Sequence, residues 1–190
     1  MLWDARGKPT PSSTVSKAHS DDANAVSWNP IDCNRIITGG SDCVVNMFDI
    51  RKLERPTGRV NLASSIINLA WSPHNSQIFA ATDENSTIRL VKTSADYSVA
   101  DTFVLHVGHR SPVVDIQWNP VFPWVLASVS DDSLDESKGG GGTMQVWRVN
   151  EFVEKDPDVE VEWAAGLAAQ LGSRSRTNSI ASSASNDGEE

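Results

Sequence analysis

The feature that most constrains this chain is a tripeptide, Trp-Asn-Pro or Trp-Ser-Pro, that occurs three times at nearly regular spacing. It starts at Trp28, Trp71 and Trp118, so that successive copies lie 43 and 47 residues apart. Each copy follows one short apolar run and precedes another, which is the pattern of two strands joined by a tight turn. A repeat of this length indicates a supersecondary unit that is stacked on further copies of itself.

Each repeat also contains a third short strand. The predicted strands are residues 24–28, 35–38 and 44–48 in the first repeat, residues 66–71, 78–81, 87–91 and an outer strand at 102–105 in the second, and residues 113–118, 124–129 and 143–147 in the third. The repeat length and the four-stranded unit are typical of a β-propeller blade. The sequence therefore predicts an all-β fold, a partial propeller of three four-stranded blades.

The chain divides into four parts. Residues 1–17 are predicted to be the end of a preceding blade and its connection, residues 18–149 three repeats (about 18–60, 61–105 and 106–149), residues 150–171 a short C-terminal helical segment, and residues 172–190 a disordered Ser-rich tail. We expect these repeats to be the C-terminal three blades of a larger ring. Because an open stack leaves two blade faces without a neighbour, we expect the isolated chain to aggregate or to bind hydrophobic dyes.

Composition narrows the class of partner. The formal net charge is −9 and no long stripe of Lys and Arg is present, which argues against direct nucleic-acid binding and favours basic protein partners such as histones. No run approaches the roughly 18 apolar residues of a membrane span, so no membrane partner is predicted. Cys33 and Cys43 are not in a zinc spacing, and the glycine run at 139–142 lacks the Lys of a phosphate-binding loop. We therefore predict no metal and no cofactor.

Two of the repeats carry the same polar residues at matching places. The two sets are His19, Thr38, Asp42 and Phe48, and His109, Ser128, Asp132 and Trp147. They resemble the WD-repeat family, whose repeats have a Gly-His pair, a Ser or Thr, a turn Asp and a Trp-Asp ending. The resemblance implies a structural tetrad of hydrogen-bonded side chains in each of these blades. The middle repeat has Leu62, Ala81, Asn85 and Val91 instead, so we expect its blade to rest on packing alone.

The same residue types also occur in hydrolases, because Ser128, His109 and Asp132 are those of a catalytic triad. Ser128 lies within a predicted strand, however, and not at the strained strand-to-helix turn that exposes a nucleophile. We therefore predict a structural role, no catalytic residues, and a protein that is not an enzyme.

A narrower resemblance is carried by the third repeat. The segments that start at His106, Trp118 and Met144, with the glycine insertion between them, are similar to the last blade of the MSI-type histone-binding proteins, which are related to the retinoblastoma-binding chaperones. The insertion is most similar to the FVE-like branch of plant flowering-time regulators. The resemblance implies a seven-bladed ring and a non-catalytic scaffold in nuclear chromatin-modifying complexes of the deacetylase or Polycomb type. Implied partners are histone tails and complex subunits such as deacetylases, with peptide-binding residues Asp22, Asn24 and Asp131 on the top face.

An alternative function rests on a shorter motif. Trp3, Asp4 and Arg6, and less well Asp49 and Arg51, match the Trp-Asp-x-Arg ending of WD proteins that serve as substrate receptors of cullin-based ubiquitin ligases. The structural alternative is an Arg that pairs with the Asp of its own blade.

The tail offers a modification site. Arg174 and Arg176 stand upstream of Ser179, which predicts phosphorylation of Ser179 by a basophilic kinase. The alternative is a tail that only increases solubility.

Overall fold

The structure is a computed structural model, and it describes Arg6, residues 14–131 and residues 142–149. These residues form eleven strands and one short 3-10 helix, Ile50–Lys52. The strands are β1 (Ala23–Trp28), β2 (Arg35–Gly40), β3 (Val44–Asp49), β4 (Gly58–Asn61), β5 (Ile66–Trp71), β6 (Ile78–Asp83), β7 (Ile88–Thr93), β8 (Ala100–His106), β9 (Val113–Trp118), β10 (Val125–Ser130) and β11 (Thr143–Arg148).

The strands make three antiparallel sheets, one for each repeat. Their orders are β1-β2-β3-β4, β5-β6-β7-β8 and β11-β10-β9, so every paired strand is also a neighbour in sequence. The predicted all-β architecture of propeller blades is confirmed, and each predicted strand is present with ends shifted by at most two residues. Two blades have four strands, and the third has three within the described residues.

Strand β4 was not predicted. Its four residues, Gly58–Asn61, include one apolar side chain, Val60. As the outer strand of its blade it pairs only with β3 and packs little of its surface, so it carries no alternating apolar pattern for a sequence to show.

The core consists of two apolar layers between the three sheets. In the first layer Ile37 and Met47 of the first blade pack against Trp71 and Phe79 of the second, whose rings meet edge to face at 5.3 Å. The second layer is built from buried residues of the second and third blades: Ile78, Ala80, Ile88, Leu90, Val113, Ile116, Trp118, Leu126 and Val149. Because successive side chains of a strand point to opposite faces, β6 supplies both layers and is buried along its whole length.

Several predicted features lie outside the described residues: the helical segment at 150–171, the tail with Ser179, the glycines at 139–141, Asp132, Trp3 and Asp4. In the part of the chain that the structure describes, no helix is long and apolar enough to cross a membrane.

Candidate functional site

The first tetrad joins the segment before β1 to strand β2 and to the turn between β2 and β3. Nε2 of His19 lies 2.8 Å from the hydroxyl of Thr38, and Nδ1 lies 2.9 Å from a carboxylate oxygen of Asp42. That carboxylate also accepts backbone N–H groups of Ser20 and Val44 at 3.0 and 3.2 Å. Burial alone would raise the pKa of Asp42, but these hydrogen bonds together hold it below its ordinary value. The fourth predicted member, Phe48, is buried and contributes packing alone.

The third blade brings together three of its four predicted residues. Nε2 of His109 lies 2.7 Å from the hydroxyl of Ser128, which also accepts the indole N–H of Trp147 at 3.2 Å. The hydroxyl of Thr143 is 3.3 Å from the other ring nitrogen of His109. Ser128 is 1% exposed, so its hydroxyl is a buried link between strands and is not positioned to attack a substrate.

One element of these networks was missed by the sequence analysis. The side-chain amide of Asn46 donates to the backbone carbonyl of Ala18 at 2.9 Å, and that of Gln145 donates to the carbonyl of Gly108 at 2.7 Å. Asn46 and Gln145 each stand two residues before the Phe or Trp of their tetrad. An amide at that position therefore anchors the residue before the tetrad histidine in both blades.

The middle blade corrects a prediction, because it does not rest on packing alone. Asp83, at the end of β6, is 1% exposed. Its carboxylate accepts the hydroxyl of Thr87 at 2.5 Å, the backbone N–H groups of Asn85 and Thr87 at 3.0 and 3.1 Å, and Nε of Arg89 at 3.4 Å. A buried charge needs such partners. Asn85 is the residue that corresponds to the turn Asp42 of the first blade, and there the sequence analysis found the tetrad lost. Asp83 stands two residues earlier in the repeat.

The predicted top-face residues lie along one edge of the stacked blades, which we call the acidic rim. In each blade the residue after the second strand donates its N–H to a carbonyl just before the first strand. These pairs are Ser41 to Asp22 at 2.8 Å, Glu84 to Ser65 at 3.1 Å and Asp131 to Pro112 at 3.1 Å. Asp22, Glu84 and Asp131 are all exposed, so each blade carries one carboxylate at this pair of positions.

Side-chain bonds between blades hold the rim together. The amide of Asn24 donates to the carbonyl of Ile66 at 2.9 Å and to the hydroxyl of Ser41 at 3.0 Å. The amide of Asn68 donates to the carboxylate of Asp115 at 2.7 Å. Asn24 therefore serves to join the first blade to the second. The comparison of the repeats missed Glu84, although this residue occupies in the second blade the position that Asp131 has in the third.

Asp49 and Arg51 of the ligase motif form an ion pair with each other. The guanidinium of Arg51 donates to both carboxylate oxygens of Asp49, at 2.9 and 2.6 Å, and Nη2 of Arg35 lies 3.5 Å away. The side-chain hydrogen bond from Arg51 is the main reason why the pKa of Asp49 is far below its ordinary value. The side chain of Arg51 is nevertheless 64% exposed. Of the other motif, Arg6 is described and exposed.

Among the described residues, no group of three or more His, Cys, Asp or Glu side chains is arranged to hold a metal ion.

Sequence comparisons agree with this architecture. The family model described as "WD domain, G-beta repeat" matches residues 10–49 and 102–134. The chain is 39% identical to the WD-40 repeat-containing protein MSI4 of Arabidopsis thaliana in an alignment of 181 residues, which covers 85% of this chain and 34% of that relative. It is 24% identical to the histone acetyltransferase type B subunit 2 of Debaryomyces hansenii in an alignment of 151 residues, which covers 70% of this chain and 36% of that protein.

The chain thus spans about a third of the length of the curated relatives it matches. One conclusion follows from three findings: the three sheets with recurring His and Ser or Thr braces, the matched repeats and the similarity to MSI4. The chain contains WD repeats, its described residues form three propeller blades, and 85% of the chain is similar in sequence to MSI4.

Proposed function

We propose that this chain is a non-catalytic histone-binding scaffold whose acidic rim takes a basic peptide tail. The observation that carries the proposal is the recurrence of one exposed carboxylate in each blade at the same edge: Asp22, Glu84 and Asp131. Three carboxylates on adjoining blades suit an extended peptide with several Lys or Arg side chains. The chain's net charge of −9 attracts the same class of partner.

The similarity to two relatives supports the choice of histones among basic partners. One of them carries the name of a histone acetyltransferase subunit, and the other is MSI4. On this basis we propose that the chain acts in the nucleus, within chromatin-modifying complexes of the deacetylase or Polycomb type. Its role there is to hold a histone tail while other subunits perform the chemistry.

Charge reversal at the rim tests the proposal. The 190-residue chain is titrated with a fluorescent peptide of the histone H3 tail, and binding is followed by anisotropy at two salt concentrations. Asp22→Lys combined with Asp131→Lys should abolish binding, and Glu84→Lys should weaken it. The matched control is Asp101→Lys, which reverses an exposed acid on the outer strand β8 and should leave binding unchanged.

The salt dependence gives a second readout. Because the rim is exposed, screening should weaken binding as salt rises. Unchanged binding by the double reversal would contradict the rim as the site, whereas equal loss in the Asp101→Lys control would indicate a nonspecific effect of net charge.

The alternative is a substrate receptor of a cullin-based ligase. It is favoured by Arg51 in the 3-10 helix between β3 and β4, because its guanidinium is oriented by Asp49 while its side chain remains 64% exposed. A pull-down with histone tails, compared with a pull-down with the ligase adaptor, separates the two functions. Under the alternative, Arg51→Ala should abolish capture of the adaptor and leave histone binding intact.

A further inference from the structure

Glu84 is the one carboxylate of the acidic rim that directly follows a buried charge in the sequence. Its side chain is exposed, whereas that of Asp83 is 2% exposed. Among the described residues, no hydrogen bond or ion pair engages the carboxylate of Glu84, while the carboxylate of Asp83 accepts four hydrogen bonds. One of these two neighbouring carboxylates is therefore available to a ligand, and the other is fully occupied inside the blade.

The backbone around Glu84 is held at three successive N–H groups. The N–H of Asp83 donates to the carbonyl of Thr87 at 3.2 Å, and the N–H of Glu84 donates to the carbonyl of Ser65 at 3.1 Å. The N–H of Asn85 donates to the carboxylate of Asp83 at 3.0 Å. That carboxylate also accepts the N–H and the hydroxyl of Thr87, which closes the turn from the other side. The place of Glu84 on the rim therefore depends on the side chain of Asp83.

Arg89 adds a link to this turn that the other two blades do not have. The residues at its register position in the first and third blades are Asn46 and Gln145. Their amides hold the segment before the first strand of each blade. Arg89 instead places its Nε atom 3.4 Å from the carboxylate of Asp83. In the second blade this position of the repeat therefore stabilises the turn that carries Glu84.

The ion pair between Asp83 and Arg89 also keeps a positive charge from acting on the rim. The two side chains are 2% and 18% exposed, so water and salt screen them little from each other. Because their opposite charges offset each other's field, the pair leaves the negative charge of Glu84 to act on a ligand. Without the carboxylate of Asp83, the guanidinium would stand close to the rim with its charge uncompensated, and it would repel a basic peptide.

We propose that Asp83 is a positioning residue of the acidic rim. Together with Thr87 and Arg89 it holds Glu84 where that carboxylate contacts a Lys or Arg side chain of the bound peptide. This inference rests on the proposed function, since it gives a role in peptide binding to residues that do not touch the peptide. A contact made by a turn that is already ordered loses less conformational freedom on binding, so the Asp83 network raises the affinity without contacting the ligand.

Thr87 allows a test in which no charge changes. The 190-residue chain is titrated with the fluorescent histone H3 peptide, and binding is followed by anisotropy. Glu84→Gln should weaken binding by up to about fivefold, the factor that corresponds to one exposed ion pair. Thr87→Val removes the hydroxyl that donates to Asp83 and should weaken binding by a part of that factor, about two- to threefold. Thr87→Ser keeps the hydroxyl and should bind like the parent.

A double-mutant cycle shows whether the network acts through Glu84. In the Glu84→Gln background, Thr87→Val should cause no further loss of binding, because the carboxylate that it positions is gone. Asp83→Asn should weaken binding more than Thr87→Val, since it also uncovers the charge of Arg89, and added salt should reduce this extra loss. Leu90→Ala is the control for stability, because it alters a buried apolar contact of the same sheet and should bind like the parent while it is folded. Circular dichroism checks that every variant is folded at the temperature of the titration.

The outcomes separate this inference from the proposed function. Equal binding by Thr87→Val and Thr87→Ser, in a parent that binds and is weakened by Glu84→Gln, would overturn the positioning role and leave the rim as the site. A further loss from Thr87→Val in the Glu84→Gln background would overturn it as well, because the network would then act on another part of the site. If Glu84→Gln binds like the parent, Glu84 does not contact the peptide and the inference is wrong, although Asp22 and Asp131 still carry the proposed function. A parent chain that does not bind the peptide would contradict both.

Discussion

Nε2 of His109 and the hydroxyl of Ser128 lie 2.7 Å apart in the interior of the third blade. The same hydroxyl accepts the indole N–H of Trp147, so three side chains from the segment before β9, from β10 and from β11 meet at one oxygen atom. A hydroxyl that is 1% exposed and held from two sides acts as a brace. This geometry is why the Ser and His of the third blade do not indicate a hydrolase.

The brace predicts a measurable stability cost. Ser128→Ala removes the shared oxygen and leaves the N–H of Trp147 and a ring nitrogen of His109 without it. Stranding buried polar groups costs about 1–3 kcal/mol, so urea unfolding at fixed protein concentration should show a loss in this range. Thr102→Val, which removes an exposed hydroxyl on β8, is the control and should change the unfolding free energy by less than about 0.5 kcal/mol. Equal stability of parent and Ser128→Ala would contradict the brace.

The buried carboxylate of the second blade gives a second prediction. Asp83→Asn preserves size but removes the charge that accepts Thr87 and Arg89. Hydrogen bonds to charged groups are worth about 1.5–3 kcal/mol, and the variant should lose stability by about that amount in the same urea assay. Glu84→Gln makes the same chemical change on the exposed neighbouring residue and should leave the unfolding free energy nearly unchanged. Similar losses in both variants would show that the Asp83 network has no special role.

These two blades show what the sequence could and could not predict. The blades were predictable, because the tripeptides at Trp28, Trp71 and Trp118 recur once per blade and the strands show as short apolar runs around them. The network of Asp83 was not, because it uses a different position of the repeat. There the chain turns at Ser86, with a backbone φ of 62°, and returns Thr87 and Arg89 to the same carboxylate. A comparison of corresponding positions in the three repeats showed only that the second repeat lacks the tetrad residues.

The acidic rim was likewise only partly predictable from the sequence. Asp22 and Asp131 were predicted by resemblance, whereas Glu84 became visible as their counterpart only through the backbone bond from Glu84 to Ser65. The exposed fractions of Val26 and Met144 likewise follow from which faces are covered, and no local pattern encodes that property.

The Asp49 pair predicts a dependence on pH. The pKa of Asp49 in the folded chain is lowered, first by the hydrogen bond from Arg51. A lowered folded pKa means stabilisation that is complete above the unfolded value of about 3.9 and is lost as the pH falls through the folded pKa. Asp49→Asn lacks this contribution, so its melting temperature should lie below that of the parent at pH 7 and should approach it as the pH falls below about 4.

The partner residue supplies the control for that experiment. Arg51→Gln keeps Asp49 but removes the main cause of its low pKa. It should therefore reproduce part of the reduced acid dependence, with Arg35 still 3.5 Å from the carboxylate. A constant difference between Asp49→Asn and the parent from pH 7 to pH 3 would contradict a role for the Asp49 charge.

Two leucines test whether the layers between blades hold the fold together. Leu90 of β7 is 0% exposed in the second layer, and Leu105 of β8 is 51% exposed. Leu90→Ala leaves a cavity between the second and third blades and should cost about 2–5 kcal/mol. Leu105→Ala makes the same chemical change at a half-exposed site and should cost less than about 1 kcal/mol. Because the middle sheet is packed on both faces, the Leu90 variant should also lose near-ultraviolet circular dichroism from Trp118, which lines the same layer. Equal costs for the two variants would mean that the blades are stabilised mainly within each sheet and not by the layers between them.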